Sequence, residues 1–79
     1  MAFYVLIVKD KEDDMGVTYR FGPHEDHLGT LWIDKSTGEV KEIEETPTNN
    51  PQAIFQRAAV KIWQHWKQGV FPERTCWAS

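Results

Sequence analysis

The chain has 79 residues and a mass of 9.2 kDa, is 41% hydrophobic and 27% charged, and carries a net charge of −3. A chain this short has room for one hydrophobic core and buries only about 60 to 65% of the surface its unfolded form exposes, which excludes a second domain and leaves little margin for a deep, strained active site. With 13% aromatic residues and so small a net charge, it also lies outside the composition of disordered chains.

Phe3 to Val8 is aromatic and β-branched on both parities, the pattern of a strand buried on both faces, and is expected to be a central strand. The run is too short to cross a membrane. It has no basic stretch ahead of it and is followed by Lys9 and Asp10, so it does not read as a signal peptide. Asp10 to Gly16 reads as a solvated connection. Val17 to Phe21 follows as a strand with Val17, Tyr19 and Phe21 on one face, stopped by Gly22-Pro23. After the polar loop His24-Glu25-Asp26-His27, Leu28 to Asp34 is a third strand in which Leu31 and Ile33 share a face and Trp32 points the other way.

Asp34 to Glu39 is a turn, because Asp34 can accept hydrogen bonds from the backbone ahead of it and Gly38 can take positive φ without steric cost. It closes a hairpin onto a strand from Glu39 to about Glu44. The charges of that strand suit a sheet edge that must not pair with other chains. Asn50 is the expected N-cap and Pro51 the first residue of a helix that runs to Gln68, with Gly69 as its stop. Phe55, Ala58, Ala59, Ile62 and Trp66 form its apolar stripe, flanked by Ile54, Trp63 and His65. The tail from Val70 to Ser79 carries Phe71, Cys76 and Trp77 and is expected to fold back over the sheet or the helix end.

The expected architecture is α+β. One domain over residues 1–79 holds a single antiparallel sheet of three to four strands in ββββα order, with one C-terminal amphipathic helix packed on one face. Trp32 then looks away from the helix beside Thr18, Arg20 and Thr30. Either the tail covers that face or a partner does, a second copy included.

Residues 1–50 carry five basic and eleven acidic groups, and residues 51–79 carry four basic groups against one acidic. Acidic surface therefore gathers on the sheet and its loops, where it can steer a basic partner. Arg57, Lys61 and Lys67 on the helix suggest a second reading, a nucleic-acid-binding module. Aromatic and basic faces would then lie on different sides of the molecule, and no aromatic RNA-binding signature is present. His24 and His27 lack the further ligands that a zinc site needs, so no metal or cofactor is expected. Cys76, the single cysteine, excludes an internal disulfide, fits a reducing, cytoplasmic compartment and reads as a buried structural thiol. His65 reads as a packing residue. No catalytic arrangement is recognisable, and no enzyme is expected.

Leu31, Asp34-Lys35-Ser36-Thr37-Gly38-Glu39-Val40, Phe55-Gln56-Arg57-Ala58-Ala59, His65-Trp66 and Pro72-Glu73-Arg74-Thr75-Cys76-Trp77-Ala78-Ser79 together resemble small bacterial proteins of the toxin-immunity kind. The resemblance covers about 50 residues of the second half of the chain. It implies a cytosolic inhibitor that binds a cognate toxin, for instance a nuclease, and blocks its active site or its access to target. The partner-binding residues expected from the open sheet face and the acidic loops are Trp32, Arg20, Glu25, Asp26, Asp13, Asp14 and Glu42.

Overall fold

The computed structural model describes residues 4–78, so Phe3 and Ser79, assigned above to the first strand and the tail, lie outside the described residues. Strands β1 (Tyr4–Glu12), β2 (Gly16–Gly22), β3 (Gly29–Asp34) and β4 (Val40–Glu44) form a meander; helix α1 (Pro51–Gln68) and strand β5 (Arg74–Ala78) follow. The sheet order is β4-β3-β2-β1-β5, and every neighbouring pair is antiparallel. The α+β architecture is as expected, but with five strands in place of three to four. The tail does not lie over a face: it pairs with β1 as an edge strand, and this puts β1 inside the sheet.

Strand β1 also runs further than expected, through the charged stretch to Glu12. A register irregularity between Lys9 and Lys11 bulges Asp10, so Lys11 faces Thr18 and Glu12 faces Val17. The turn that follows is tight because the Asp13 carboxylate accepts hydrogen bonds from the Met15 and Gly16 amides, at 2.9 and 3.0 Å. Charges in this stretch point to solvent at the end of the hairpin, which leaves the backbone free to stay paired.

Paired residues of an antiparallel ladder share a face. Val5 and Ile7 of β1, Val17, Tyr19 and Phe21 of β2, and Leu31 and Ile33 of β3 face the helix, where Ile54, Ala58 and Ile62 complete a buried core. Burying each large member contributes roughly 1.5 to 3 kcal/mol. Phe55 meets Phe21 with ring centroids 5.8 Å apart. The buried stripe of α1 is rotated from the expected one toward Ile54, and Trp63 is 42% exposed. The cause is β5. With a fifth strand on the far flank, that shoulder of the helix also faces the sheet, and His65 Nε2 comes within 3.4 Å of Thr75 Oγ1.

Asn50 stands at the N-cap position, but its side chain makes no capping hydrogen bond; Pro51 opens the helix as expected. At the other end Gly69 is left-handed (φ 75°), its N–H donates to the Trp66 carbonyl at 2.9 Å and the Val70 N–H donates to the His65 carbonyl at 3.1 Å. This double bond pattern caps the helix and turns the chain toward β5.

Three further contacts close the helix side. Trp66 Nε1 donates to the Lys35 carbonyl at 2.8 Å, and its ring lies against Gly38. The buried Tyr19 hydroxyl donates to the Pro72 carbonyl at 2.7 Å, and burial pushes its pKa up. Glu12 bridges Lys9 (2.6 Å) and Lys35 (2.7 Å), with Glu73 at 3.6 Å from Lys9.

Gly38 has φ 78°, and a Cβ there would fall 2.6 Å from the Trp66 ring; Gly69 has a similar φ but open space around it. Gly38→Ala is therefore expected to destabilise by about 2 to 3 kcal/mol and Gly69→Ala by only about 1 kcal/mol, in urea titrations with unchanged m-values. Equal losses would show that Trp66 yields freely.

Hydrogen bonds from Lys35 and then Lys9 hold the Glu12 carboxyl down at about 2, below its usual 4.5. A carboxyl with a lowered folded-state pKa stabilises above its unfolded value, and the effect is lost as pH falls from about 4.5 toward about 2. Glu12→Gln should lower the urea midpoint at neutral pH, with the difference from the parent vanishing near the bottom of that range. A difference that stays constant with pH would assign the triad no such role.

Candidate protein-binding face

Among the described residues, no secondary structure covers the face of the sheet opposite the helix. Tyr4, Leu6 and Val8 of β1 point there, which decides the parity that the apolar run left open. Leu6 is only 3% exposed although it lies outside the core under the helix. It faces Gly22 across the ladder, and the 23–28 loop folds back over Gly22 so closely that a side chain there would overlap the His27 carbonyl. The loop thus finishes that end of the face. The two histidines of the loop meet each other, Nδ1 to Nδ1 at 3.2 Å with rings edge to face. Among the described residues no group of three His, Cys, Asp or Glu side chains could hold a metal ion.

At the opposite end stands Trp32. Its indole lies over Gly16, where any Cβ would overlap the ring. Glycine at position 16 lets a large flat side chain rest on the backbone of β2. Lys41 Nζ lies 5.9 Å from the ring centroid. A cavity of about 430 Å³ opens beside the indole, lined by Thr18, Thr30 and Ile43 from the strands and by Asp10, Lys11 and Asp13 from the hairpin end. Asp13 is fixed there by the Gly16 and Met15 amides, which hold its carboxyl below the usual range. Thr30 Oγ1 donates to Glu44 at 3.3 Å across the rim.

The residues expected to bind a partner divide into groups. Trp32 and Asp13 meet at the cavity, and Asp14 is exposed on the same hairpin turn. Arg20 is on the same face, paired with Val8 and Thr30, and its Nε donates to the Gly29 carbonyl at 3.3 Å. Glu25 and Asp26 are exposed on the 23–28 loop at the other end, where Glu25 lies 3.6 Å from Arg74. Glu42 is not brought to this face. It sits opposite Leu31 on the helix side of the edge strand, and burial, then Glu45, push its carboxyl up. Ile43, two residues on from Lys41, shares the Trp32 face instead, and the shift in register between Thr30 and Leu31 brings Glu44 opposite Thr30. Ile43, Asp10 and Lys11 are the cavity residues that sequence reasoning missed. An isoleucine alone among the charges of an edge strand was the available signal for Ile43; the bulge at Asp10 that aims Lys11 has none.

Of the two covers expected for the Trp32 face, the tail with Trp77 is not one. Trp77 pairs with Val5 and faces the helix side, and β5 is separated from β3 by β1 and β2. Cys76, expected to be buried, is half-buried at the edge. Arg57, Lys61 and Lys67 sit on α1, across the sheet from Trp32, with Lys67 Nζ 4.6 Å from the Trp63 ring. Burial, then the nearby Lys61, lower the His65 pKa, so its ring favours the neutral form.

No protein-family model, curated protein or solved structure matches the chain.

Gly16→Ala is expected to displace the indole, changing the near-ultraviolet circular dichroism and costing about 1 to 3 kcal/mol because the Ile33 carbonyl also crowds the site. An unchanged aromatic spectrum would mean that the ring is not seated on Gly16.

Proposed function

We propose that this chain is a non-catalytic protein-binding domain of the immunity or inhibitor kind, which acts in the cytosol by holding a basic cognate toxin against its open sheet face. The observation that carries this reading is the indole of Trp32, seated on Gly16 beside a cavity with carboxylates at its rim. A flat aromatic held in place by backbone loses little freedom on binding, and half-exposed Trp residues of this kind dominate interface energetics. Asp10, Asp13 and Asp14 at one end and Glu25 and Asp26 at the other give the face acidic margins. Such margins speed encounter with a basic partner and disfavour acidic ones.

The test is capture of the tagged protein's partner from a lysate of its source organism, with and without nuclease digestion, followed by calorimetry with the purified partner. A stoichiometric basic protein that survives digestion is expected. Trp32→Ala should weaken it by about 30-fold or more while the domain keeps its cooperative melt. Recovery of nucleic acid alone would transfer the function to the basic residues of α1. Loss of the melt in Trp32→Ala would make Trp32 a core residue and remove the proposed site.

A further inference from the structure

The two edges of the sheet are built differently. Edge strand β4 carries Lys41, Glu42 and Glu44 within five residues and has a shifted register against β3, both of which discourage pairing with another chain. Edge strand β5, Arg-Thr-Cys-Trp-Ala, has one charge, no proline, and an unbroken register against β1 from Arg74 to Ala78.

The direction of its free backbone groups follows from one hydrogen bond. The Lys9 N–H donates to the Glu73 carbonyl at 2.8 Å, one step beyond the Val8–Arg74 pair. Hydrogen-bonded and non-hydrogen-bonded pairs alternate along an antiparallel ladder. Ile7–Thr75 and Val5–Trp77 are therefore the bonded pairs, and the N–H and C=O groups of Arg74, Cys76 and Ala78 face away from β1. Among the described residues no strand pairs with them.

We infer that β5 is a self-pairing edge, through which two copies of this chain join antiparallel about a two-fold axis at Cys76 to extend the sheet. Only this register pairs all the outward groups: Cys76 meets Cys76 of the second copy, and Arg74 meets Ala78. The register is also free of charge conflict, because each Arg74 lies opposite an alanine. On the helix side Thr75 lies opposite Trp77 of the second copy. Trp77 already lines an apolar cavity of about 460 Å³ with Phe55, Ala59 and Val60. The joint thus places apolar surface of both copies together. The surface is distinct from the Trp32 cavity on the opposite face.

Light scattering on the full chain from micromolar to millimolar concentration should show a dimer. Amide exchange at Arg74, Cys76 and Ala78 should slow as concentration rises. A mild disulfide oxidant should link Cys76 to Cys76, two thiols giving up two protons and two electrons to the oxidant. Paired strands hold opposing Cα atoms about 5.5 Å apart, within disulfide reach. Ala78→Arg sets two cations opposite each other and should weaken the dimer at least about tenfold, with an unchanged melt once monomeric. Arg74→Glu added to it should restore pairing. A monomer throughout, a dimer indifferent to Ala78→Arg, or no rescue by the double variant would overturn the inference.

Discussion

A single helix can cover one face of this sheet and no more, and most of the structure follows from that limit. An 18-residue helix is about 27 Å long, and α1 lies across the sheet so that it touches all five strands. All the large apolar side chains of β2 point to it: Val17, Tyr19 and Phe21. What remains for the other face is a set of local solutions. Leu6 lies beside the folded-back loop, Trp32 lies on a glycine, and threonines and arginine fill the middle.

The helix side is closed by contacts from residues far apart in sequence. Tyr19 is held by Pro72, Trp66 by Lys35, and Lys9 and Lys35 by Glu12. The buried Tyr19 hydroxyl needs a partner, since an unsatisfied polar group there would cost about 1 to 3 kcal/mol. Its acceptor lies in the connection between α1 and β5. That hydrogen bond therefore fixes the course of the chain into the fifth strand, and the left-handed Gly69 starts the same turn.

Strands 2 and 3 and the helix were legible because their side chains alternate or recur with clear periods and end at Gly22-Pro23, Gly38 and Gly69. The placement of Trp32 opposite Leu31 and Ile33 was legible for the same reason. The fifth strand was not, because Arg-Thr-Cys-Trp-Ala is short and mixed, and its pairing is decided by a distant element. Neither were the irregularities at Asp10 and between Thr30 and Leu31. A one-residue slip exchanges faces, so the irregularity at Asp10 accounts for the overlooked Lys11, whereas Glu42 and Ile43 take opposite faces by the plain alternation of β4 counted from Val40 opposite Ile33.

The same distant pairing explains a local puzzle in β1. Val5, Leu6, Ile7 and Val8 are apolar on both parities, and as an edge strand this run would offer a template for aggregation. Strand β2 protects one side of it, and β5, drawn back by the Pro72 contact, protects the other. Covering β1 does not abolish the edge but moves it outward to a shorter strand with a cation at one end and a half-buried thiol at its centre. An edge of that composition lacks the charges that guard β4, and its free backbone groups repeat symmetrically about Cys76. The covering of β1 and the proposed pairing with a second copy thus rest on the same five residues of β5.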